Sequence, residues 1–129
     1  MSLIIQNKLT ILILILISFA IYLIISTKTI CDDLDGLTRK GVFYLRGSKT
    51  PFTGNSLCIW DLTNVTWYEG KYQDGLKEGL WKFYNLDATK RSEVTYSEGK
   101  MNGLRYIYNS NNKEVIKMNC IDNICEAME

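Results

Sequence analysis

A repeated pattern of glycines and aromatic residues constrains the fold of this 129-residue chain more than any other feature. The segment from Asp74 to Asn85 aligns without gaps with the segment from Glu98 to Asn109, and the interval from Asp74 to Glu98 is the repeat length. Each copy reads acidic residue, Gly, three residues, Gly, Leu, three residues, Tyr, Asn. One unit of this length cannot bury its own apolar side, so neighbouring units must stack to form a core.

The residues inside each copy predict a β-hairpin. Trp81 and Phe83 are two positions apart, which places both on one face of a strand. The polar residues 85–90 suit a hairpin loop, and the alternating residues around Val94 predict the return strand. We expect residues 98–103 to connect this hairpin to the next one, with glycines where positive φ or close backbone approach is needed.

Two weaker copies extend the pattern towards the N-terminus, at Thr53-Gly54 and at Asp35-Gly36. The predicted fold is therefore all-β: an elongated antiparallel β-meander of hairpin repeats. The residues expected to maintain the repeat are glycines and aromatics, namely Gly54, Gly75, Gly79, Trp81, Tyr84, Gly99, Gly103 and Tyr108.

The repeat unit resembles the bacterial variant of the MORN (membrane occupation and recognition nexus) repeat. The segments Arg39–Tyr44 and Pro51–Gly54 resemble the entry segment of small bacterial MORN-repeat proteins, many of which are labelled as antitoxins. The resemblance covers residues 34–118 and implies a β-hairpin array that acts by binding. The chain departs from the pattern where Arg105 stands in place of the tryptophan of the preceding copy.

The segment Leu9–Thr27 contains no charged residue and is rich in leucine and isoleucine. As a helix it would extend about 28 Å, close to the thickness of a bilayer's hydrocarbon core. It predicts a transmembrane helix within an N-terminal segment, residues 1–28, followed by a β domain, residues 29–129. An uncleaved anchor is favoured over a cleaved signal peptide, because Thr-Lys-Thr-Ile before Cys31 is a poor cleavage site.

Charge around this segment predicts an orientation in a cytoplasmic (inner) membrane. Lys8 precedes the apolar run and favours a single pass with the N-terminus inside and the β domain outside, although Lys28 on the other flank weakens the bias. Export to the periplasm or secretion after cleavage is the alternative.

Four cysteines follow the apolar segment, at positions 31, 58, 120 and 125. Outside the cytoplasm an even number predicts two disulfides, whereas in the cytosol the same residues would be free thiols. Proximity in sequence favours Cys31–Cys58 and Cys120–Cys125, but a bond from Cys31 to a C-terminal cysteine stays open. The spacing lacks the Cys-x2-Cys pairs of a zinc site.

Composition argues against several kinds of function. The chain has no histidine, which excludes Ser-His-Asp and Cys-His catalysis and histidine metal sites. Its net charge of +1 does not suit a nucleic-acid-binding domain. We expect no catalytic residue, metal or cofactor, and an enzyme would need a cleft with paired carboxylates.

The remaining hypothesis is a binding protein. Four aromatic residues are candidates for a binding surface: Trp60, Trp67, Tyr68 and Tyr72. We expect a non-enzymatic, membrane-tethered binding or scaffold module with a protein partner. The alternative function is an immunity or antitoxin-type protein that neutralises a partner toxin by occlusion.

Overall fold

The computed structural model of the protein describes residues 2–25, 28–109 and 114–129, and in the first helix it describes side chains for residues 6–22. A long helix, α1 (Ser2–Ile25), comes first. Strand β1 (Thr29–Ile30) and the single-turn helix α2 (Asp32–Asp35) follow. The remaining strands within the described residues are β2 (Gly36–Arg39), β3 (Val42–Leu45), β4 (Gly54–Ile59), β5 (Thr66–Gln73), β6 (Leu76–Tyr84), β7 (Lys90–Ser97), β8 (Lys100–Tyr108), β9 (Val115–Ile121) and β10 (Ile124–Ala127).

Helix α1 is rich in leucine and isoleucine, and every side chain described in it is exposed, including Leu14 at 65% and Tyr22 at 66%. No helix along the described ranges is both long and apolar enough to cross a membrane. The predicted transmembrane helix is therefore not supported. Residues 26 and 27 of the predicted segment lie outside the described residues.

The strands form one eight-stranded sheet and a separate two-stranded sheet. From β4 to β10 each strand pairs antiparallel with the next one in the chain, as the repeat predicts. The short β1 adds to the free edge of β4 in parallel, so the large sheet is mixed rather than purely antiparallel. Strands β2 and β3 form the second sheet as a hairpin of their own.

The acidic–glycine pairs of the repeat form two-residue hairpin turns. Asp74 and Gly75 have φ angles of 50° and 78°, and Glu98 and Gly99 have φ angles of 51° and 81°. Two successive positive φ values are typical of a type I′ turn, whose twist matches that of the flanking strands. The expectation that residues 98–103 connect two hairpins is therefore wrong, because the turn itself makes the connection and β8 begins directly after it.

A third turn of the same kind continues the series. Asp122 and Asn123 have φ angles of 48° and 73° and lie one repeat length after Glu98 and Gly99. The second residue of each turn donates its N–H to the preceding repeat: Gly75 to the Phe52 carbonyl at 2.7 Å, Gly99 to Lys77 at 3.0 Å and Asn123 to Met101 at 3.0 Å. The turns therefore follow one another along one edge of the sheet, at the ends of the strands, and backbone hydrogen bonds link each turn to the repeat before it.

The second glycine of each copy lies inside a strand. Gly79 in β6 and Gly103 in β8 have φ angles of 69° and 113°. Each faces a shift of register in the neighbouring strand, at Gly70 and at Thr95 respectively. Positive φ at these glycines thus produces β-bulges that bend the strands, and not turns.

Both favoured disulfides are confirmed. Cys31 and Cys58 join the segment after β1 to strand β4 across a sequence separation of 27 residues. Cys120 and Cys125 face each other across the β9–β10 hairpin and are separated by 5 residues. The first bond holds α2 against the sheet, and the second closes the terminal hairpin.

Candidate binding face

One face of the large sheet carries the aromatic core and is the candidate binding face. Trp81 in β6 lies opposite Val94 in β7, and Val94 lies opposite Arg105 in β8. Side chains that point the same way on neighbouring strands share this side of the sheet. We call this side the aromatic face; its principal residues are Tyr68, Tyr72, Trp81, Phe83, Val94, Tyr96, Arg105 and Ile107.

Strands β4 to β6 of the aromatic face are covered by the chain itself. Phe43 of the small sheet stacks on Tyr72 with ring centroids 4.9 Å apart, and Phe52 meets Phe43 edge-on at 5.7 Å. Beneath them Tyr72 meets the Trp81 ring at 5.2 Å, and Trp81 is completely buried. The cover therefore consists of a polypeptide segment that places aromatic rings on the sheet.

The cover also brings a carboxylate onto the sheet. Asp32 of α2 accepts hydrogen bonds from the hydroxyls of Tyr68 at 2.6 Å, Tyr72 at 2.7 Å and the buried Ser56 at 2.8 Å. The disulfide at the neighbouring Cys31 holds α2 in place for these contacts. Burial raises the pKa of both tyrosines far above the ordinary range, and their hydrogen bonds to Asp32 raise it further.

A lysine lies on the same face, opposite Tyr72 in the neighbouring strand. Lys77 Nζ is 4.2 Å from the centroid of the Trp81 ring and 5.4 Å from that of Tyr96. Burial lowers the pKa of Lys77, while the negative charge of Asp32 acts in the opposite direction. The covered half thus holds a cation over aromatic rings and an anion that accepts hydrogen bonds from two tyrosines.

Over β7 and β8 the same face is open. A shallow groove of about 360 Å³ lies between Phe83, Val94, Tyr96, Arg105 and Ile107. Arg91 forms one wall, with its guanidinium 5.9 Å from the Phe83 ring centroid. The groove therefore combines apolar side chains with two arginines, and no carboxylate lies among the described residues that line it.

The four aromatic residues predicted as a binding surface lie near one another, because Trp67 meets the Tyr68 ring edge-on at 4.9 Å and Tyr68 shares Asp32 with Tyr72. Tyr72 is buried with an exposure of 5%, Tyr68 is half-buried, and both serve the covered core through Asp32. Trp60 and Trp67 pack together at a centroid distance of 5.1 Å, beside a cleft of about 240 Å³. The open part of the aromatic face lies instead on the two strands that follow.

The tyrosines of the repeat make equivalent contacts on the opposite face. Tyr84 donates to the Glu69 carboxylate at 2.9 Å, and Tyr108 donates to Glu93 at 2.6 Å. The tyrosine and the carboxylate of the second pair both follow those of the first by one repeat length. The tyrosine of each copy therefore links its strand to the preceding strand, and it does not line the groove.

Sequence reasoning missed several residues of this face. Gly70 lies under Trp81, where a Cβ would overlap the indole ring. The only sequence signal for this contact is that Gly70 lies in the strand next to the one that contains Trp81. Asp32 and Lys77 had no local signal, because their partners come from distant strands. Arg105 was noted in the sequence as a departure from the repeat. Its alignment with Trp81 is the signal that could have located it on this face.

A metal is not held by the one cluster of potential ligands among the described residues. The side chains of Cys31, Asp32 and Cys58 converge within 4.8 Å of one another. The two sulfurs are bonded to each other, so neither supplies the thiolate that a metal would need. The Asp32 oxygens are already acceptors of the tyrosine hydrogen bonds.

Comparison of the chain with models of protein families, with curated proteins and with solved structures yields no match in any of the three.

Proposed function

We propose that this protein is a non-enzymatic binding module, attached to a membrane, that docks a protein partner on the open half of its aromatic face. The observation that carries the proposal is that the chain covers one half of the aromatic face and leaves the other half open. Phe43 and Phe52 cover β5 and β6, whereas the groove beside Tyr96 and Ile107 has no cover from the described residues. Open apolar surface next to a packed core is typical of interaction sites.

Membrane attachment through residues 9–27 is supported by the exposure of the apolar side chains of α1. Leu9, Leu14 and Phe19 are each more than half exposed, and the surrounding leucines and isoleucines are similar. The transfer of each such side chain from water to an apolar environment is favourable by a free energy of about 1.5–3 kcal/mol. A lipid phase can cover all sides of the helix at once.

The two disulfides support the proposed orientation at an inner membrane. In this orientation the N-terminus lies inside the cytoplasm and the β domain lies outside it. Stable disulfides form in oxidising compartments and are rare in the cytosol. No free cysteine is present among the described residues. All four cysteines of full-length protein in intact cells should therefore resist alkylation until they are reduced, and free thiols in native protein would contradict this orientation.

The resemblance to MORN-variant repeats is part of the proposal. It is supported by the equal spacing of the three type I′ turns and of the two tyrosine–carboxylate pairs. A surface built by repetition presents similar groups at regular intervals, which suits the binding of an extended segment.

Membrane attachment can be tested by carbonate extraction of the full-length protein. The wild-type chain should remain in the membrane fraction. Ile15→Lys, which adds a charge to the middle of α1, should release a large share of the protein, because a lysine in the apolar core costs about 3 kcal/mol. Leu57→Lys on the exposed sheet surface is the matched control and should stay bound. Wild-type protein in the wash would contradict the proposal.

Partner docking can be tested by photo-crosslinking in the native host. A photoreactive amino acid at Ile107 lies in the groove, and one at Leu104 lies three positions earlier, on the other face of β8. A discrete crosslinked product from position 107 but not from 104 is expected. Equal labelling at both positions, or none at 107, would contradict docking at the groove. A single toxin as the crosslinked partner would favour the immunity-type alternative.

A further inference from the structure

The repeat places an arginine at the position that a buried tryptophan occupies one copy earlier. Trp81 and Arg105 are one repeat length apart, and both face Val94, from β6 and from β8 respectively. Tyr96 follows Tyr72 by the same interval. The open half of the aromatic face is therefore a second copy of the covered half, with a cation at its centre instead of an indole ring.

The covered half shows what kind of structure fits on this face. Its cover is a stretch of polypeptide that provides aromatic rings at Phe43 and Phe52 and a carboxylate at Asp32. The carboxylate accepts hydrogen bonds from tyrosines of the sheet. The rings fill the space above Tyr72 and Trp81.

The open half has the groups that such a cover would satisfy. Arg105 Nε is shielded from solvent and donates to no acceptor among the described residues. Arg91, on the Phe83 ring, is likewise in no ion pair within those residues. A shielded donor on a charged group is costly when it is left unpaired. The geometry thus supplies two cations and an apolar floor but no anion.

We propose that the open half docks a segment of a partner protein in which an aspartate or glutamate is flanked by aromatic or large apolar residues. The carboxylate binds Arg105, and its apolar neighbours pack on Phe83, Val94 and Ile107. This inference rests on the proposed function and adds the chemistry of the partner. A guanidinium binds a carboxylate through two parallel hydrogen bonds, which fixes the register of the docked segment.

The occupant is a polypeptide segment and not a lipid headgroup, because the neighbouring half of the same face is covered by polypeptide. The groove of about 360 Å³ is lined chiefly by apolar side chains, with the arginines at its centre and wall. A phosphate headgroup would satisfy the arginines and leave the floor in contact with water.

The test uses full-length protein in detergent micelles and the probe peptide acetyl-Phe-Asp-Phe-Asp-Phe-amide. Binding should shift the Arg105 Nε–H resonance in the NMR spectrum. The same peptide with asparagine in place of aspartate should bind at least about tenfold more weakly, since hydrogen bonds between charged groups are worth about 1.5–3 kcal/mol and about 1.4 kcal/mol is tenfold.

Two protein variants separate the groove from general charge effects. Arg105→Gln should weaken peptide binding by about tenfold or more. Arg39→Gln removes the same charge from an arginine that lies 5.8 Å from the ring of Tyr44 on the small sheet, and it should bind like the wild type. Unchanged thermal midpoints of both variants would show that the fold is intact.

Several outcomes would overturn the inference. These are equal affinity for the aspartate and asparagine peptides, no loss with Arg105→Gln, or binding to phosphatidylglycerol vesicles without binding to the peptide. If the peptide fails while the crosslink at Ile107 persists, this inference is wrong and the proposed function stands. If the crosslink is also absent, both are wrong.

Discussion

Asp32 and Tyr72 are far apart in the chain, and the Tyr72 hydroxyl donates a 2.7 Å hydrogen bond to the Asp32 carboxylate. Tyr68 donates to the other oxygen of the same carboxylate at 2.6 Å. The Asp32 carboxylate therefore joins the covering segment to the sheet through hydrogen bonds from both tyrosines. Hydrogen bonds to a charged group are stronger than those between neutral groups, so these contacts favour one arrangement of the cover on the sheet.

The first prediction concerns this carboxylate. Asp32→Asn keeps the shape of the side chain, but its NH2 group cannot accept from a tyrosine, so one hydroxyl is left unsatisfied. We expect the free energy of unfolding to fall by about 2 kcal/mol. Asp33→Asn removes the same charge from the exposed neighbour and should change stability little. Urea unfolding of the full-length chain measures both, and equal effects would refute the role of Asp32.

The second prediction concerns Gly70. A Cβ at this position would overlap the ring of Trp81, which is completely buried and cannot move into solvent. Gly70→Ala should therefore destabilise the protein by about 1–3 kcal/mol through overpacking. Gly70 has no positive φ, so the effect is one of space and not of backbone strain. Trp81→Leu should restore part of the loss in the double variant, and purely additive losses in thermal denaturation would contradict this explanation.

The sequence predicted the strands and their order because the repeat fixes them locally. Trp81 and Phe83 share a face, as their spacing requires, and Phe83 faces Ser92 as the hairpin requires. The bounds of the turns were less accurate. A Gly-x-x-x-Gly spacing does not show which glycine makes a turn and which makes a bulge, since both have positive φ.

The candidate site could not be predicted in the same way. Asp32 precedes the first weak copy of the repeat, so nothing local indicates that it reaches Tyr68 on a distant strand. The aromatic residues were assigned to a surface because composition does not distinguish a buried ring from an exposed one. Only the topology shows that Tyr72 is covered by Phe43.

The third prediction compares the two disulfides. In the chain-entropy model a bond that closes 27 residues stabilises by about 3.5 kcal/mol, and one that closes 5 residues by about 2 kcal/mol. Cys31→Ala with Cys58→Ala should therefore lower the thermal midpoint more than Cys120→Ala with Cys125→Ala. Cys58 and Cys120 are equally buried, at 1%, so each pair is a control for the other. The reverse order of midpoints would contradict the assignment of the larger role to the first bond.

The fourth prediction concerns alkaline pH and the two tyrosines of the repeat. Burial, together with the hydrogen bond to Glu69, raises the pKa of Tyr84 from 10.0 to about 12. The hydrogen bond to Glu93, followed by burial, raises the pKa of Tyr108 to about 12. Between these values the unfolded chain loses both protons while the folded chain keeps them. Their contribution to stability is therefore complete below pH 10 and is lost as the pH rises to about 12.

Urea midpoints measured across this pH window should fall steeply for the wild type and less steeply for Tyr84→Phe and for Tyr108→Phe. Tyr44→Phe is the matched control, because the Tyr44 hydroxyl makes no hydrogen bond to a carboxylate within the described part of the chain, and its slope should equal that of the wild type. A slope that is the same in all four proteins would show that the tyrosine–carboxylate pairs do not couple folding to pH. Ultraviolet titration of tyrosinate in folded protein checks the sign independently, since both hydroxyls should ionise later than in the urea-unfolded chain.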